Sequence, residues 1–354
     1  MRAALLLAER GLGNVWPNPA VGCVIVNPAG SVVGRGWTQP GGRPHAETEA
    51  LKMAGTAARG ATAYVTLEPC SHHGKTPPCA DALIMAGIKR CVVALEDPYP
   101  AVNGEGVRRL QGAGIAVDLG ALRDEAADLN RGFLTRIASR RPMVTLKLAT
   151  SLDGRIATRS GQSKWITGET ARARGHRLRA THDAIMIGSG TAIADDPQLN
   201  CRLPGLESRS PVRVVMDRRL RLPVESKLVQ SAPNRRTVLI TRTGHPAAGL
   251  ERYRAYDVEI VEADGIDAAL GALGGLGITR LLVEGGATLA ASLLKADRVD
   301  RLHWFRAPGI IGGDGLASID EIGLDDISRM TRLERIGLES AGGDSAEIYR
   351  RKPQ

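Results

Sequence analysis

The residues of this chain best equipped for chemistry lie between His45 and Cys79. His45 and Glu47 flank Ala46, and eight residues separate Cys70 from Cys79. Thiolates and imidazole are ordinary ligands of Zn2+, and a catalytic zinc keeps three protein ligands and one open position for water. The metal lowers that water's pKa to about 7. A glutamate that is not itself a ligand can then carry the proton to a leaving amine. His-x-Glu followed by Pro-Cys-x-x-Cys is the pattern of zinc deaminases. His45-Ala46-Glu47 and Pro69-Cys70 match it, while Cys79 departs from it in spacing. His72 and His73 lie inside the interval and compete with Cys79 as ligands. A closed structural zinc site is therefore the alternative to an open catalytic one, although such a site has no use for Glu47.

These groups need elements to hold them. His45 to Met53 reads as a helix with Pro44 just before it. His45 and Glu47 do not share a helical face, but from the first turn both can point into one pocket. Cys79 opens a helix that runs to Ala86 and stops at Gly87, where a thiolate is favoured. Strands are expected at 21–26, 31–36, 61–67, 90–95 and 115–119, the first two joined as a hairpin through Asn27-Pro28-Ala29-Gly30. Helices are expected at 2–10 and 107–113, and 122–139 reads as one connecting helix. Strand–helix alternation after a hairpin indicates a three-layer α/β domain. Cys23 and Cys91 sit in apolar strands and read as core.

Ser139-Arg140-Arg141-Pro142 reads as a boundary, giving domains 1–139 and 140–354. Beyond it the pattern restarts, with strands at 143–148, 184–187, 212–216, 237–241, 258–261, 280–283 and 301–305. No Gly-x-Gly-x-x-Gly follows a strand and opens a helix, so a Rossmann fingerprint is missing. Glu284-Gly285-Gly286 does lie between a strand and a helix starting at Ala287. That leaves backbone N–H groups at a helix N-terminus, where a phosphate fits, unless the turn serves packing alone. Lys147 faces the same region by strand position, and Asp153 and Arg155 read as local caps or pairs.

Composition narrows the function classes. At 354 residues and 43% hydrophobic, the chain can bury two cores. A net charge of +9 suits phosphorylated small molecules as well as nucleic acid. The arginines are scattered, and aromatics at 3% are too few for a base-stacking platform. Five cysteines in a long chain speak against a disulfide framework and for a reducing cytoplasm. The first ten residues do not read as a signal peptide, and no apolar run is long enough to span a membrane.

The motifs Pro17-Asn18-Pro19 with Val21-Gly22, His45-Ala46-Glu47, and Thr66 through Cys79 resemble the bifunctional riboflavin-biosynthesis deaminase/reductases. The long Cys70–Cys79 interval, odd for deaminases at large, is similar to what that family shows. The resemblance covers nearly the whole chain. It implies a cytidine-deaminase-like domain followed by a dihydrofolate-reductase-like domain. The first would deaminate a diaminopyrimidinone bearing a ribosylamino 5'-phosphate, and the second would use NADPH to reduce the ribosyl to ribityl. By the same resemblance His45, Cys70 and Cys79 would hold Zn2+, Glu47 would shuttle protons, and Asn18 would line the substrate pocket. His72, His73 and Lys75 suit a substrate phosphate, or form a solvated loop held by Pro77 and Pro78. In the second domain Ala149, Trp165, Thr191 and Asp195 would meet the cofactor, with Gly286, Ala287, Thr288, Leu289, Ala290, Ala291 and Ser292. Arg218 is added as a candidate for its 2'-phosphate. Ser163, Arg179, Leu199, Arg202 and Glu284 would meet the substrate, the two arginines as bidentate phosphate clamps. A small-molecule substrate, no nucleic acid, no membrane and a homo-oligomeric assembly are expected. The competing readings are a nucleotide or RNA-base zinc deaminase with an unrelated appended domain, and a zinc-stabilised nucleic-acid-binding protein.

Overall fold

The computed structural model describes residues 1–71, 77–99 and 103–352, which form two compact units, Met1–Arg140 and Arg141–Gln354. The first holds strands β1 (Gly22–Val26), β2 (Val32–Trp37), β3 (Thr62–Val65), β4 (Arg90–Val93) and β5 (Ala116–Leu119). Its helices are α1 (Arg2–Ala8), α2 (Ala46–Ala54), α3 (Cys79–Met85), α4 (Glu105–Gly112), α5 (Arg123–Leu129) and α6 (Arg131–Ser139). The sheet order is β2-β1-β3-β4-β5, with β1 antiparallel to β2 and β3, and the rest parallel.

Strand alternation sorts the helices into layers. Gly36 pairs with Cys23, so these two share a face, while Gly22 points the other way. A Cβ on Gly36 or Gly34 would lie 2.1 or 2.2 Å from the Ala46 or Ala50 carbonyl oxygen. Glycine is thus required for α2 to lie flat on β2, which sets the height of His45 and Glu47. A Cβ on Gly22 would instead strike the Ala4 carbonyl, so α1 covers the opposite face. The helices α3 and α4 continue the α2 layer, and α5 adjoins α1.

Residues 122–139 do not form the single expected helix but break at Asn130. The Asn130 side chain, 3% exposed, accepts from Ala20 N–H at 2.9 Å and donates to Ala20 O at 3.0 Å. Those two buried bonds to a distant strand-entry segment outweigh helix continuity, and the backbone turns there to ψ 13°. The break points Phe133, Arg136 and Ile137 of α6 at the cavity described below.

The second unit holds β6 (Met143–Thr150), β7 (Arg155–Ala157), α7 (Glu169–Ala180), β8 (Ala184–Gly188), α8 (Ser189–Asp195) and β9 (Val212–Met216). Next come α9 (Lys227–Gln230), β10 (Thr237–Thr241), α10 (Ala247–Arg254), β11 (Glu259–Glu262), α11 (Ile266–Gly275) and β12 (Arg280–Glu284). Last are α12 (Ala287–Lys295), β13 (Arg301–Arg306), β14 (Leu316–Ala317), β15 (Leu333–Ala341) and β16 (Asp344–Arg351). The main sheet runs β11-β10-β9-β8-β12-β6-β13-β16-β15. It is parallel from β11 to β13, and the hairpin β15–β16 adds an antiparallel edge. The strands β7 and β14 pair separately. The chain winds outward from β8 to β11, then returns to insert β12 between β8 and β6. In open α/β sheets that reversal opens a crevice at the strands' carboxyl ends, where ligands bind.

Candidate active site

In the first unit, His45 is the N-cap of α2, in extended backbone with φ −73° and ψ 161°. Glu47 follows in the first turn, 3% exposed. Cys79 is the first residue of α3, and Cys70 lies in the loop after β3. The Cys79 backbone N–H donates to Cys70 Sγ at 3.3 Å, and Ala80 N–H donates to Cys70 O at 3.1 Å. The start of α3 thus locks the loop that carries Cys70.

His45 Nδ1 lies 3.3 Å from Cys79 Sγ and 3.6 Å from Cys70 Sγ. A tetrahedral zinc about 2.3 Å from sulfur and about 2.0 Å from nitrogen sets such donors roughly 3.5 Å apart. The donor set therefore fits Zn2+ in chemistry and spacing, and among the described residues no other His, Cys, Asp or Glu cluster of this kind occurs. The hydrogen bond from the Cys79 thiol holds Cys70 down to about 4, and the same bond holds Cys79 up. The hydrogen bond with Cys70 also raises His45.

Glu47 Oε2 is buried with no hydrogen-bond partner among the described residues. Burial, and then the Cys70 charge, pushes its carboxyl up to about 7. A dication beside it would pull that value down again. An orphaned carboxylate oxygen at a three-ligand metal cluster is the arrangement a proton carrier needs.

His45, Glu47 and Cys70 open onto a cavity of about 270 Å³, at the small end of ligand sites. Asn18 lies in its wall, together with Arg43, Asp97, Tyr99 and the α6 face. Sequence reasoning missed that face, although Phe133, Arg136 and Ile137 follow the i, i+3, i+4 spacing that marks one side of a helix. His72, His73 and Lys75 lie outside the described residues. Cys23 and Cys91 are fully buried, and desolvation raises both thiols.

In the second unit, Glu284, Arg179 and Arg202 of the expected residues come together beside β12, with Lys147 of β6. Glu284 ends β12 and stands in register with Lys147 of β6. Arg179, in the last turn of α7, grips Glu284 through two bonds of 2.7 and 2.9 Å. It also donates to Asn200 O at 2.9 Å. Lys147 Nζ stands 3.8 Å from Glu284. Burial pushes the Glu284 carboxyl up, but Arg179 and then Lys147 outweigh it and hold it down at about 2. Burial lowers the Lys147 ammonium.

The segment carrying Leu199 and Arg202 closes this cluster, since Arg202 N–H bonds His176 Nδ1 at 3.2 Å. Sequence reasoning passed over His176, yet it stands three residues before Arg179 on α7 and so shares its face. Burial, then Arg179 and Arg202, holds its pKa down at about 4.

Gly285 and Gly286 have φ of 87° and 86°, and Cβ atoms built there would touch Thr191 of α8 at 3.3 and 3.4 Å. The left-handed turn and Thr191 thus form one wall before α12. Thr288 Oγ1 donates to Asp320 at 2.5 Å, and Ser292 Oγ donates to Thr288 O. Leu289, Ala290 and Ala291 are buried, and the Ala290 N–H is already given to Gly286 O at 3.0 Å. Ala149 lies near the carboxyl end of β6, with Ser163 half-buried in the loop before α7. Trp165 is 69% exposed under the Arg172 guanidinium, 4.5 Å from its ring centroid. Asp195 is exposed at the end of α8. Arg218 is exposed after β9, where its carbonyl oxygen lies 3.1 Å from His245 Nε2, and Asp264 feels its charge. That places Arg218 two strands from β12. Asp153 pairs locally, accepting from Ser151 Oγ, and also accepts from Ile311 and Gly312 N–H, tying the β6–β7 turn to residue 312.

Comparisons with known proteins agree with this geometry. Residues 142–345 match the family model described as "RibD C-terminal domain", and residues 1–95 match "Cytidine and deoxycytidylate deaminase zinc-binding region". The chain is 42% identical to "Riboflavin biosynthesis protein RibD" of Aquifex aeolicus, covering 99% of this chain and 97% of that one. It is also 42% identical to the Escherichia coli protein of the same name, covering 97% and 96%. A solved RibD from Acinetobacter baumannii is 38% identical with a TM-score of 0.91, covering 100% of this chain and 98% of that chain. A Thermotoga maritima structure is 36% identical with a TM-score of 0.88, covering 99% and 97%. That protein is described as a diaminohydroxyphosphoribosylaminopyrimidine deaminase/5-amino-6-(5-phosphoribosylamino)uracil reductase. The donor set fits Zn2+, the two units answer to a deaminase and a reductase, and the chain belongs to the RibD family of bifunctional deaminase/reductases of riboflavin biosynthesis.

Proposed function

We propose that the first unit hydrolyses the exocyclic ring amine of a phosphoribosylamino-diaminopyrimidinone, and that the second reduces the product's ribosyl group with NADPH. The observation that carries the first half is the His45–Cys70–Cys79 cluster with the orphaned Glu47 oxygen beside it, open to a cavity. His45, Cys70 and Cys79 would hold Zn2+, which would supply the Lewis acidity that makes a water nucleophilic near neutral pH. Glu47, with its partnerless Oε2 at the site, is placed to take a proton from the attacking water and return it to the departing nitrogen, which leaves as ammonia. Asn18 turns the ring toward Glu47, and the α6 face excludes bulk water.

In the second unit NADPH, when bound, supplies the hydride. Gly286, Ala287, Thr288 and Leu289 offer the open backbone N–H groups of the α12 N-terminus to its phosphates, and Ala290, Ala291 and Ser292 continue the helix behind them. Ala149, Trp165, Thr191 and Asp195 frame the rest of the cofactor, and Arg218 is the candidate for its 2'-phosphate. Arg179, Arg202, Ser163 and Leu199 seat the substrate. Glu284, kept ionised by Arg179, accepts hydrogen bonds from the sugar hydroxyls. The domains of action are 1–139 and 140–354. Cytoplasmic location is supported by five cysteines of which none forms a disulfide. No helix among the described residues is long and apolar enough to cross a membrane. We infer a homo-oligomer acting on a small molecule and not on nucleic acid.

The test is ammonia release and NADPH consumption on the phosphorylated diaminopyrimidine, with metal analysis. Ammonia release without NADPH is expected, then NADPH oxidation only after deamination. Equal NADPH oxidation with the un-deaminated substrate would contradict the order of steps. Cys79→Ala is expected to lose most of the zinc and all deamination. Zinc held at one per chain in that variant would transfer the third-ligand role to His72 or His73.

A further inference from the structure

One wall of the deaminase cavity is tied down by a buried carboxylate through its backbone. Asp97 and Tyr99 line the cavity from the segment between β4 and α4. Glu68, 4% exposed, lines the same cavity beside them. Its Oε2 accepts from the N–H groups of Asp97 at 3.1 Å and Gly104 at 2.9 Å. Its Oε1 accepts from Val107 N–H at 3.1 Å. Its own N–H donates to Leu95 O at 2.9 Å. One buried carboxylate thus gathers three backbone donors that lie 29 to 39 residues away along the chain.

Two of those donors belong to the first turn of α4. Gly104 is its N-cap and offers no side chain, so Glu68 satisfies N–H groups that the helix leaves open and meets the positive end of its dipole. The third belongs to Asp97, whose carboxylate in turn accepts from Tyr99 N–H at 2.9 Å. Gly106 is pressed against the same strand exit, since a Cβ there would lie 2.0 Å from Pro69 O. The Glu68 side chain therefore joins the strand exit that leads to Cys70 to the cavity wall and to α4 at once.

We propose that Glu68 is a positioning residue for substrate binding in the deaminase cavity: it holds the Asp97–Tyr99 wall by its backbone and does not itself touch the reacting atoms. This rests on reading the cavity as the deaminase site. Three of the carboxylate's lone pairs are occupied by backbone donors, which leaves it poorly placed for proton transfer. The wall acts on substrate and transition state alike, so its displacement raises KM and spares kcat. The isosteric change Glu68→Gln replaces one acceptor oxygen by an amide. Whichever way that amide turns, at least one buried N–H faces a donor.

The experiment uses the zinc-loaded full chain with the phosphorylated diaminopyrimidine, and adds amide hydrogen exchange. Glu68→Gln is expected to raise KM for deamination about tenfold, which is ~1.4 kcal/mol, with kcat unchanged. Zinc stays at one per chain, and NADPH-dependent turnover of the deaminated substrate is unaffected. The amides of Asp97, Gly104 and Val107 exchange about tenfold faster, while those of α2 keep their protection. A kcat loss at unchanged KM, loss of zinc, or unchanged exchange at the three amides overturns the proposal. If the variant does not fold, exchange in the unmodified chain decides, because an anchored Asp97 and Gly104 must be protected well beyond an exposed loop. A chain that released no ammonia at all would defeat the reading of the cavity, yet the exchange result would still judge the anchor by itself.

Discussion

Glu47→Gln is expected to cut ammonia release by about 10³-fold while zinc remains at one per chain. The substitution keeps the shape of a side chain that is 3% exposed in the first turn of α2. It removes the only feature that lets this position take up and return a proton. None of the three metal donors is touched, so metal content reports that the site is intact. The carboxylate's desolvation, which pushes its pKa up to about 7, also disappears with the charge. In the metal-free chain stability should therefore hold or rise slightly, because a buried charge is exchanged for a neutral group. An ammonia assay with metal analysis checks both halves. Ordinary turnover by the zinc-loaded variant would remove Glu47 from the reaction.

Arg179→Ala is expected to destabilise the second unit by about 3 kcal/mol and to end its reductase activity. Arg179 and Glu284 are both largely buried, with side-chain exposures of 16% and 12%. Removing the guanidinium leaves a buried carboxylate with Lys147 at 3.8 Å as its remaining cation. The pH dependence gives a sharper reading. Glu284 is held at about 2 against a usual 4.5, so the pair's stabilisation is fully present above 4.5 and is lost as pH falls toward 2. In Arg179→Ala, burial without its main partner raises the carboxyl, and the acid loss through that window disappears. Urea denaturation between pH 2 and 7 measures it. The relevant transition is the one that zinc chelation leaves unmoved. An unchanged acid slope in the variant would show that Arg179 does not hold the charge.

The chemistry of the first site was legible in the chain because its donor types are rare and clustered. A histidine at a helix start, a glutamate two residues on and two cysteines before and at a second helix start have few purposes in common. The local signals for α2, α3 and the glycine-rich hairpin pointed the same way. What remained hidden was set by contacts between distant residues. Asn130 reads as a neutral position in a helical stretch, and only its two bonds to Ala20 show why the helix breaks and α6 turns its face to the cavity. Glu68 reads as one letter of a motif until its three backbone donors are seen.

The second site followed the same division. Glu284-Gly285-Gly286 announced a turn before a helix, and the motif context drew attention to Arg179 and Arg202. That Arg179 meets Glu284, 105 residues later, depends on β12 inserting between β8 and β6. No local pattern encodes that insertion. The edge hairpin β15–β16 escaped notice because its residues carry many charges on an exposed sheet edge, where apolar alternation is weakest. By itself the sequence determined which atoms could bind metal and move a proton, since that depends on residue type and short spacing. The tertiary structure decided which backbone holds them still and which buried charges are paired, since those depend on donors and acceptors that meet only when the chain is folded.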